Sequence, residues 1–277
     1  MSIEARQSSI SSSYNVALNK GCSLRVSLLI TTFNRADALG LVLKTVARQS
    51  RVPDEVVICD DGSSDETRTL AKQWEDRLPI RHVWQPDRDF RAARSRNLGA
   101  LKSHSEYVVW IDGDCLLPPR FMENHIRLAK PGYLVAGGRH LMSSLETNAL
   151  LSERLTIEEA FKHWKFKLVL LGRLRDLHRD GWKTVRTCNL GLSRKDLDAV
   201  NGFDESYVGW GREDSDLVLR LMHCGVNIRS GRFAACVGHL YHAQAPRGQL
   251  SRNDGRFNLC VDDPNHMHPK KSILEEP

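Results

Sequence analysis

No run of the sequence is apolar over the length that a membrane span requires, so a transmembrane helix is not expected. The opening stretch MSIEARQSSISSSYNVALNKGC is Ser-rich and polar and lacks the apolar centre of a secretory signal. Cysteine is sparse: seven residues, at 22, 59, 115, 188, 224, 236 and 260, with no C-x-x-C pair. An odd count without a framework argues against a disulfide scaffold and for free thiols in a reducing, cytoplasmic setting. No internal repeat is visible. Acidic residues fall short of basic ones, leaving a net charge of +6, which favours an anionic partner: nucleic acid, nucleotide, phospholipid surface or acidic sugar. What is present is ordinary for a globular protein, 41% hydrophobic and 27% charged, and 277 residues suffice for one large domain or two modest ones.

Residues 1–23 and 261–277 read as flexible polar tails. Between them, strand and helix patterns alternate. RVSLLITTF (Arg25 to Phe33) is apolar and β-rich, and ADALGLVLKTVARQ follows with helical spacing. DEVVICDDGSSDET ends a second strand in two acids and a Gly-Ser turn, and DETRTLAKQWED continues as a helix capped by Ser64 or Asp65. IRHVWQ is a third strand, RAARSRNLGALKSH a basic helix, and YVVWIDGDC a fourth strand. This β-α-β-α-β-α-β order predicts an α/β fold with a mostly parallel sheet flanked by helices. In the less regular second half, LVAGGRHLM reads as one strand. The segment beginning CNLGLSRKDLDAV reads as a short strand, a helix, a loop and a second helix.

Ligands of such sheets sit beyond the carboxyl ends of the strands, where Asn34, Asp60, Asp61, Asp112 and Asp114 fall. Two carboxylates spaced by one residue at the end of an apolar strand repel each other and lose hydration. A divalent cation with a preference for oxygen ligands resolves both problems for Asp112 and Asp114, and it can bridge a diphosphate. A solvated turn is the plainer reading of D-x-D alone. At the second strand end, Asp60 and Asp61 can accept hydrogen bonds from a nucleobase N–H or a ribose hydroxyl.

The ordered motifs VSLLITTFNR, VVICDDGSSDET, FRAARSRNLGA and VVWIDGDCLLP resemble those of family 2 glycosyltransferases of the GT-A type, over roughly Arg25 to the histidines near 240. The resemblance implies a GT-A, Rossmann-like sheet in one domain. Its nucleotide-sugar-binding half would span 24–117 and its acceptor-binding and catalytic half 118–260. It implies a nucleotide-sugar donor, usually a UDP-sugar, held through Mn²⁺ or Mg²⁺. By match to the motifs, Thr32 and Asn34 border the uridine, Asp60 or Asp61 contacts uracil, and Asp112 and Asp114 serve ribose and metal. Phe90 stacks on a base. The diphosphate falls to the basic helix, with Arg91 and Arg94 preferred over Arg96. The segment VGWGREDSDLVLRL resembles the W-G-x-E-D segment of galactosyltransferase-like GT-A enzymes. There Trp210 would pack the acceptor sugar, Glu213 would bind its hydroxyl, and Asp214 would be the general base of an inverting transfer. His239 in V-G-H resembles the third metal ligand, with His242 the runner-up, and an imidazole beside carboxylates suits Mn²⁺ better than Mg²⁺.

The expected role is adding a sugar to a glycan or lipid-linked acceptor in surface polysaccharide or glycoconjugate synthesis, with no nucleic-acid partner. FKHWKFKLVLLGRLRDLHRDGWK, near 161–183, allows two readings: a core-packed helix with a basic solvated side, or a peripheral contact with the inner membrane surface. One alternative enzyme class is a sugar-1-phosphate nucleotidyltransferase, but TTFNRADAL lacks its Gly-rich, lysine-containing loop. The non-enzymatic alternative, a basic nucleic-acid-binding protein, leaves the acidic strand ends without a purpose.

Overall fold

A computed structural model describes residues 24–162, 181–243 and 247–274. The first strands are β1 (Val26–Thr32), β2 (Glu55–Asp60), β3 (Ile80–Trp84) and β4 (Tyr107–Asp112). Between them run helices α1 (Ala36–Val46), α2 (Asp65–Gln73) and α3 (Ala92–Lys102). All four strands pair in parallel, in the order β3-β2-β1-β4. Their apolar runs reflect burial on both faces, as parallel sheets require. Alternation divides them: Leu28, Ile30, Val56, Ile58, Val109 and Ile111 meet Leu39, Val42 and Val46 of α1 on one face. On the other, Leu29, Val57, Val108 and Trp110 meet α3.

The sheet continues through β8 (Asn189–Ser193), antiparallel to β4, then β6 (Tyr133–Ala136) and β9 (Asn227–Ser230). A second sheet places β10 (Cys236–His239) between β5 (Cys115–Leu116) and β7 (Gly138–Leu141). Helices α4 (Phe121–Leu128), α5 (Ser144–Leu151), α6 (Ile157–Lys162), α7 (Arg194–Ala199), α8 (Glu213–His223) and α9 (Leu250–Val261) complete the described chain.

The single strand expected over Leu134–Met142 is two strands in different sheets. The chain turns at Gly137, where an added Cβ would lie 2.1 Å from Asn189 Oδ1. The Asn189 side chain donates to the carbonyls of Gly138 at 2.8 Å and Ala235 at 2.9 Å, tying the second sheet to the first. The flexible C-terminal tail is a second correction for 262–274. His266 Nε2 lies 2.7 Å from buried Asp216, and the N–H groups of Lys270 and Ile273 donate to Asp204 and Glu205. Three long-range polar anchors hold what looks in sequence like an unstructured, proline-containing end. Ser64 occupies the cap position of α2 but makes no side-chain cap bond.

Helix α3 packs so close to β2 that a Cβ on Gly99 would stand 2.1 Å from Cys59 Sγ. Gly99→Ala should therefore cost about 1–3 kcal/mol by overpacking. Adding Cys59→Ala should restore part of that loss, as read by urea unfolding of the single and double variants. Equal stability of Gly99→Ala and the parent would show that the approach is not tight. Among the described residues no helix is long and apolar enough to cross a membrane. The basic stretch considered for membrane contact falls mostly on residues 163–180, outside the described residues.

Candidate active site

A cleft of about 940 Å³ opens at the carboxyl ends of β1, β2 and β4, facing the first turn of α8 and the loops after β7 and β10. Thr32, Asp61, Phe90, Asp112, Asp114, Trp210, Glu213, Asp214, His239 and His242 all line it. Asn34, Asp60, Arg91 and Arg94 do not, and each has a local reason.

Asn34 sits in the left-handed region with φ 47. Its N–H donates to Ser63 Oγ and its Oδ1 accepts from Ser64 N–H, both at 2.9 Å, so it joins the β1 and β2 loops. Asp60 turns into the protein, accepting from Ser63 N–H at 2.8 Å and lying 2.8 Å from His82 Nε2. Burial alone would raise its pKa; the bonds from His82 and Ser63 outweigh that and lower it. Asp61 instead lines the cleft, held by the Gln85 amide and by Arg91 N–H at 2.8 Å, and burial raises its pKa. Of the two acids ending β2, the geometry leaves Asp61 for a ligand. The Thr32 hydroxyl also lines the cleft and is buried without a partner.

The preferred arginines do not line the cleft. The Arg91 guanidinium is engaged with the Pro86 carbonyl, and Arg94 donates to Gln85 Oε1 at 2.7 Å and faces Glu205 at 3.6 Å. Of the three, Arg96, two residues beyond Arg94, is the one that lines the cleft. It is only 4% exposed and lies 3.1 Å from Glu213 Oε1 and 3.5 Å from Asp112 Oδ1. Helical phase decides this: position 96 faces the core and the cleft, while 91 precedes the helix and 94 faces its flank.

Asp112 leans towards Arg96, with Asp114 and His239 near enough to act on its charge. Among the described residues the close group of potential metal donors is Asp114, Cys115 and His239. The Cys115 thiol is pushed well up, first by burial and then by its contact with Cys188, so it is a poor thiolate donor. His242 offers a better third ligand. His239 Nε2 is 3.6 Å and His242 Nε2 is 3.5 Å from the two oxygens of Asp114. Each ring's Nδ1 lies against a carbonyl, Leu240 O at 3.0 Å and Ala243 O at 2.7 Å. Each Nε2 is thereby turned towards an oxygen of Asp114. A carboxylate and two imidazoles meeting in this way form a donor set that fits Mn²⁺.

Across the cleft, the chain takes positive φ at Gly209, Gly211 and Arg212, which turns the Trp210 ring outward before α8 begins. A Cβ on Gly209 would also meet Gln249 at 2.6 Å, so side chains are excluded on space as well as conformation. Gly209 N–H donates to the Phe90 carbonyl at 2.9 Å, fastening this loop to the other wall. Glu213, the first residue of α8, is pushed up to about 7 by burial and the adjacent Asp214 charge, against the pull of Arg96. Its Oε2 has no partner. Asp214 is half-buried, 3.4 Å from Thr187 N–H. Asp216, in the same acidic run, is fully buried against Arg220 and His266 and takes no part in the cleft. Sequence reasoning passed over Arg139, Arg186, Arg247 and Tyr241, which also line the cleft. They come from separated segments, and no local pattern marks them.

The family profile described as Glycosyl transferase family 2 matches residues 27–198, more than half of the chain. The chain belongs to glycosyltransferase family 2. Residues 176–245 also match the N-terminal domain of galactosyltransferase, a span that includes Trp210, Glu213 and Asp214. The validoxylamine A glucosyltransferase of Streptomyces hygroscopicus subsp. limoneus is 32% identical over 226 residues, covering 75% of this chain and 50% of the relative. The hyaluronan synthase of Pasteurella multocida is 25% identical over 264 residues, covering 86% of this chain and 26% of the relative. The chain therefore spans half or less of the length of these curated relatives. Among solved structures, S. aureus TarS superposes with a TM-score of 0.64 at 14% identity, covering 87% of this chain and 40% of that one. A mannosyltransferase from Pyrobaculum calidifontis, solved in complex with GDP-Man and Mn²⁺, gives 0.56 at 16% identity over 88% of this chain and 72% of that one. The fold of this family 2 member is of the GT-A type.

Proposed function

We propose that this chain transfers a sugar, with inversion, from a UDP-sugar to a hydroxyl of a glycan or lipid-linked acceptor, in a reaction that depends on Mn²⁺. The observation that carries the reading is the convergence of the His239 and His242 Nε2 atoms on the Asp114 carboxylate at the mouth of β4. Asp114, His239 and His242 would hold the ion, which when bound would supply positive charge to the donor diphosphate.

Thr32 and Asp61 receive the nucleoside, with Phe90 beside it, and Asp112 takes the ribose while Arg96 keeps its carboxylate in place. The acceptor sugar packs on Trp210, 39% exposed at the opposite wall. Glu213 Oε1 is occupied by Arg96, so its free Oε2 binds an acceptor hydroxyl. Asp214, the more accessible acid, takes the proton of the attacking hydroxyl. The acceptor oxygen bonds to the anomeric carbon as the bond from that carbon to the diphosphate oxygen breaks, and UDP departs with the electron pair. Attack opposite the leaving group inverts the anomeric centre. The family match gives neither the nucleotidyltransferase nor the nucleic-acid alternative an observation in its favour.

The test is calorimetric titration of UDP with and without Mn²⁺. Asp114→Asn should weaken Mn²⁺-dependent binding by more than about 100-fold, and His239→Ala and His242→Ala by about 10–100-fold each. An unchanged UDP affinity in Asp114→Asn would remove the metal site; loss in only one histidine variant would reduce the donor set to that ring.

A further inference from the structure

Three arginines at the cleft mouth have no acid partner among the described residues. Arg139 lies on β7; Arg186 directly precedes Thr187, the residue whose N–H approaches Asp214; Arg247 lies 4.9 Å over the ring of Trp210. All three are exposed and all three line the cleft. Arg186 donates through a single nitrogen to the carbonyls of Lys183 and Val185, which leaves the rest of its fork available.

The other cleft arginines are neutralised. Arg35 pairs with Asp37, Arg212 with Asp254, and Arg96 with Asp112 and Glu213. On the acidic side, Asp112 and Glu213 share Arg96, Asp114 faces two imidazoles, Asp61 is held by the Gln85 amide and Arg91 N–H, and Asp214 stands by Thr187 N–H. A bound nucleoside diphosphate and a divalent cation nearly cancel each other. Two of the three unpaired arginines flank the features that define the acceptor side, Trp210 and Asp214. Guanidinium groups without an acid partner at a cleft mouth are open to an anionic ligand. Guanidinium forks match carboxylate and phosphate oxygens in geometry, and an arginine laid on an aromatic face has already lost much of its rotamer freedom.

We propose that this arginine rim selects an anionic acceptor, one carrying a carboxylate or phosphate close to the hydroxyl that receives the sugar. The inference rests on the glycosyl-transfer reading above. It narrows the acceptor class, which the site acids and Trp210 leave open.

The experiment measures binding in the presence of UDP and Mn²⁺, and again with neither, using matched probes. One pair is a uronic-acid-containing hexasaccharide and its carboxyl-reduced neutral counterpart; the other is a glycosyl phosphate and its dephosphorylated form. The parent chain should bind at least one acidic probe roughly tenfold or more tightly than its neutral partner. Whichever pair shows the preference identifies the anion. In the chain carrying Arg139→Gln, Arg186→Gln and Arg247→Gln the preference should vanish, with UDP affinity in Mn²⁺ unchanged. All three positions are solvent-facing, so the triple variant should fold, as its unfolding midpoint will show. Equal binding of acidic and neutral probes, no binding of either acidic probe, or a preference that survives in the triple variant overturns the proposal. A parallel loss of UDP affinity also overturns it, by assigning the rim to the donor. Failure of UDP to bind the parent chain would defeat the donor reading instead, and the comparison of acidic with neutral probes would stand without it.

Discussion

Asp214→Asn should leave Mn²⁺-dependent UDP binding intact and lower kcat by about 10²–10⁴-fold, the usual contribution of a positioned general base. The amide keeps the shape of the side chain and its approach to Thr187 N–H, 3.4 Å away, but cannot take a proton. Glu213 is the neighbour that could compensate, since its carboxyl is held at about 7 and it lines the same cleft. Its geometry argues against it: one oxygen is bound to Arg96 at 3.1 Å and the side chain is almost wholly buried. Glu213→Gln should therefore raise the acceptor KM more than it lowers kcat. If the glutamine variant lost turnover while Asp214→Asn kept it, the two acids would exchange roles. Single-turnover measurements at saturating donor separate the two outcomes, because they report the transfer step without product release.

Arg96→Leu should be the most destabilising single change in the cleft. It leaves Glu213 and Asp112 facing one another without the guanidinium between them. Breaking a buried ion pair from one side costs about 3–5 kcal/mol, because the remaining charge is still desolvated. For a domain of this size that corresponds to a fall in Tm of roughly 6–20 °C. Arg96→Lys should lose less, and adding Glu213→Gln to Arg96→Leu should recover part of the loss. The pH dependence has a definite sign. Glu213 is raised in the folded protein from 4.5 to about 7, so the fold binds its proton more tightly than the unfolded chain does. Stability from this group is full below about 4.5 and declines as pH climbs towards about 7. Without Arg96 the decline should deepen, because the side chain that lowers that carboxyl is gone. Urea unfolding of parent and variant at about pH 5 and about pH 8 checks the sign. A Tm within about 2 °C of the parent would show that the network is dispensable.

Much of the donor side was legible in the chain. Apolar β-rich runs alternating with helical spacing marked β1 to β4 and α1 to α3, and parallel order put acids at the carboxyl ends where a ligand binds. Which acid of each pair faces the ligand was not legible. Adjacent residues at a strand end point to opposite sides, so Asp60 and Asp61 differ only through the turn of the backbone after β2. A similar phase question put Arg96 rather than Arg91 or Arg94 in the cleft, since the three share a charge and are separated by position along the chain alone. The docked stretch 262–274 was hidden for another reason. Its partners, Asp204, Glu205 and Asp216, lie 50 to 68 residues away in sequence, beyond any local pattern.

By itself, the sequence determined the family, the parallel sheet and the set of acids, histidines and tryptophan from which a site could be made, because strand and helix periodicity and short motifs are local properties. Only the tertiary structure decided which of them line the cleft: Asp61 and not Asp60, Arg96 and not Arg91 or Arg94, and His242 as well as His239. It also decided the company they keep, since three arginines from three separate segments meet at one opening. Charge partnership depends on distance in space, and that is settled only when the sheet and its loops have packed.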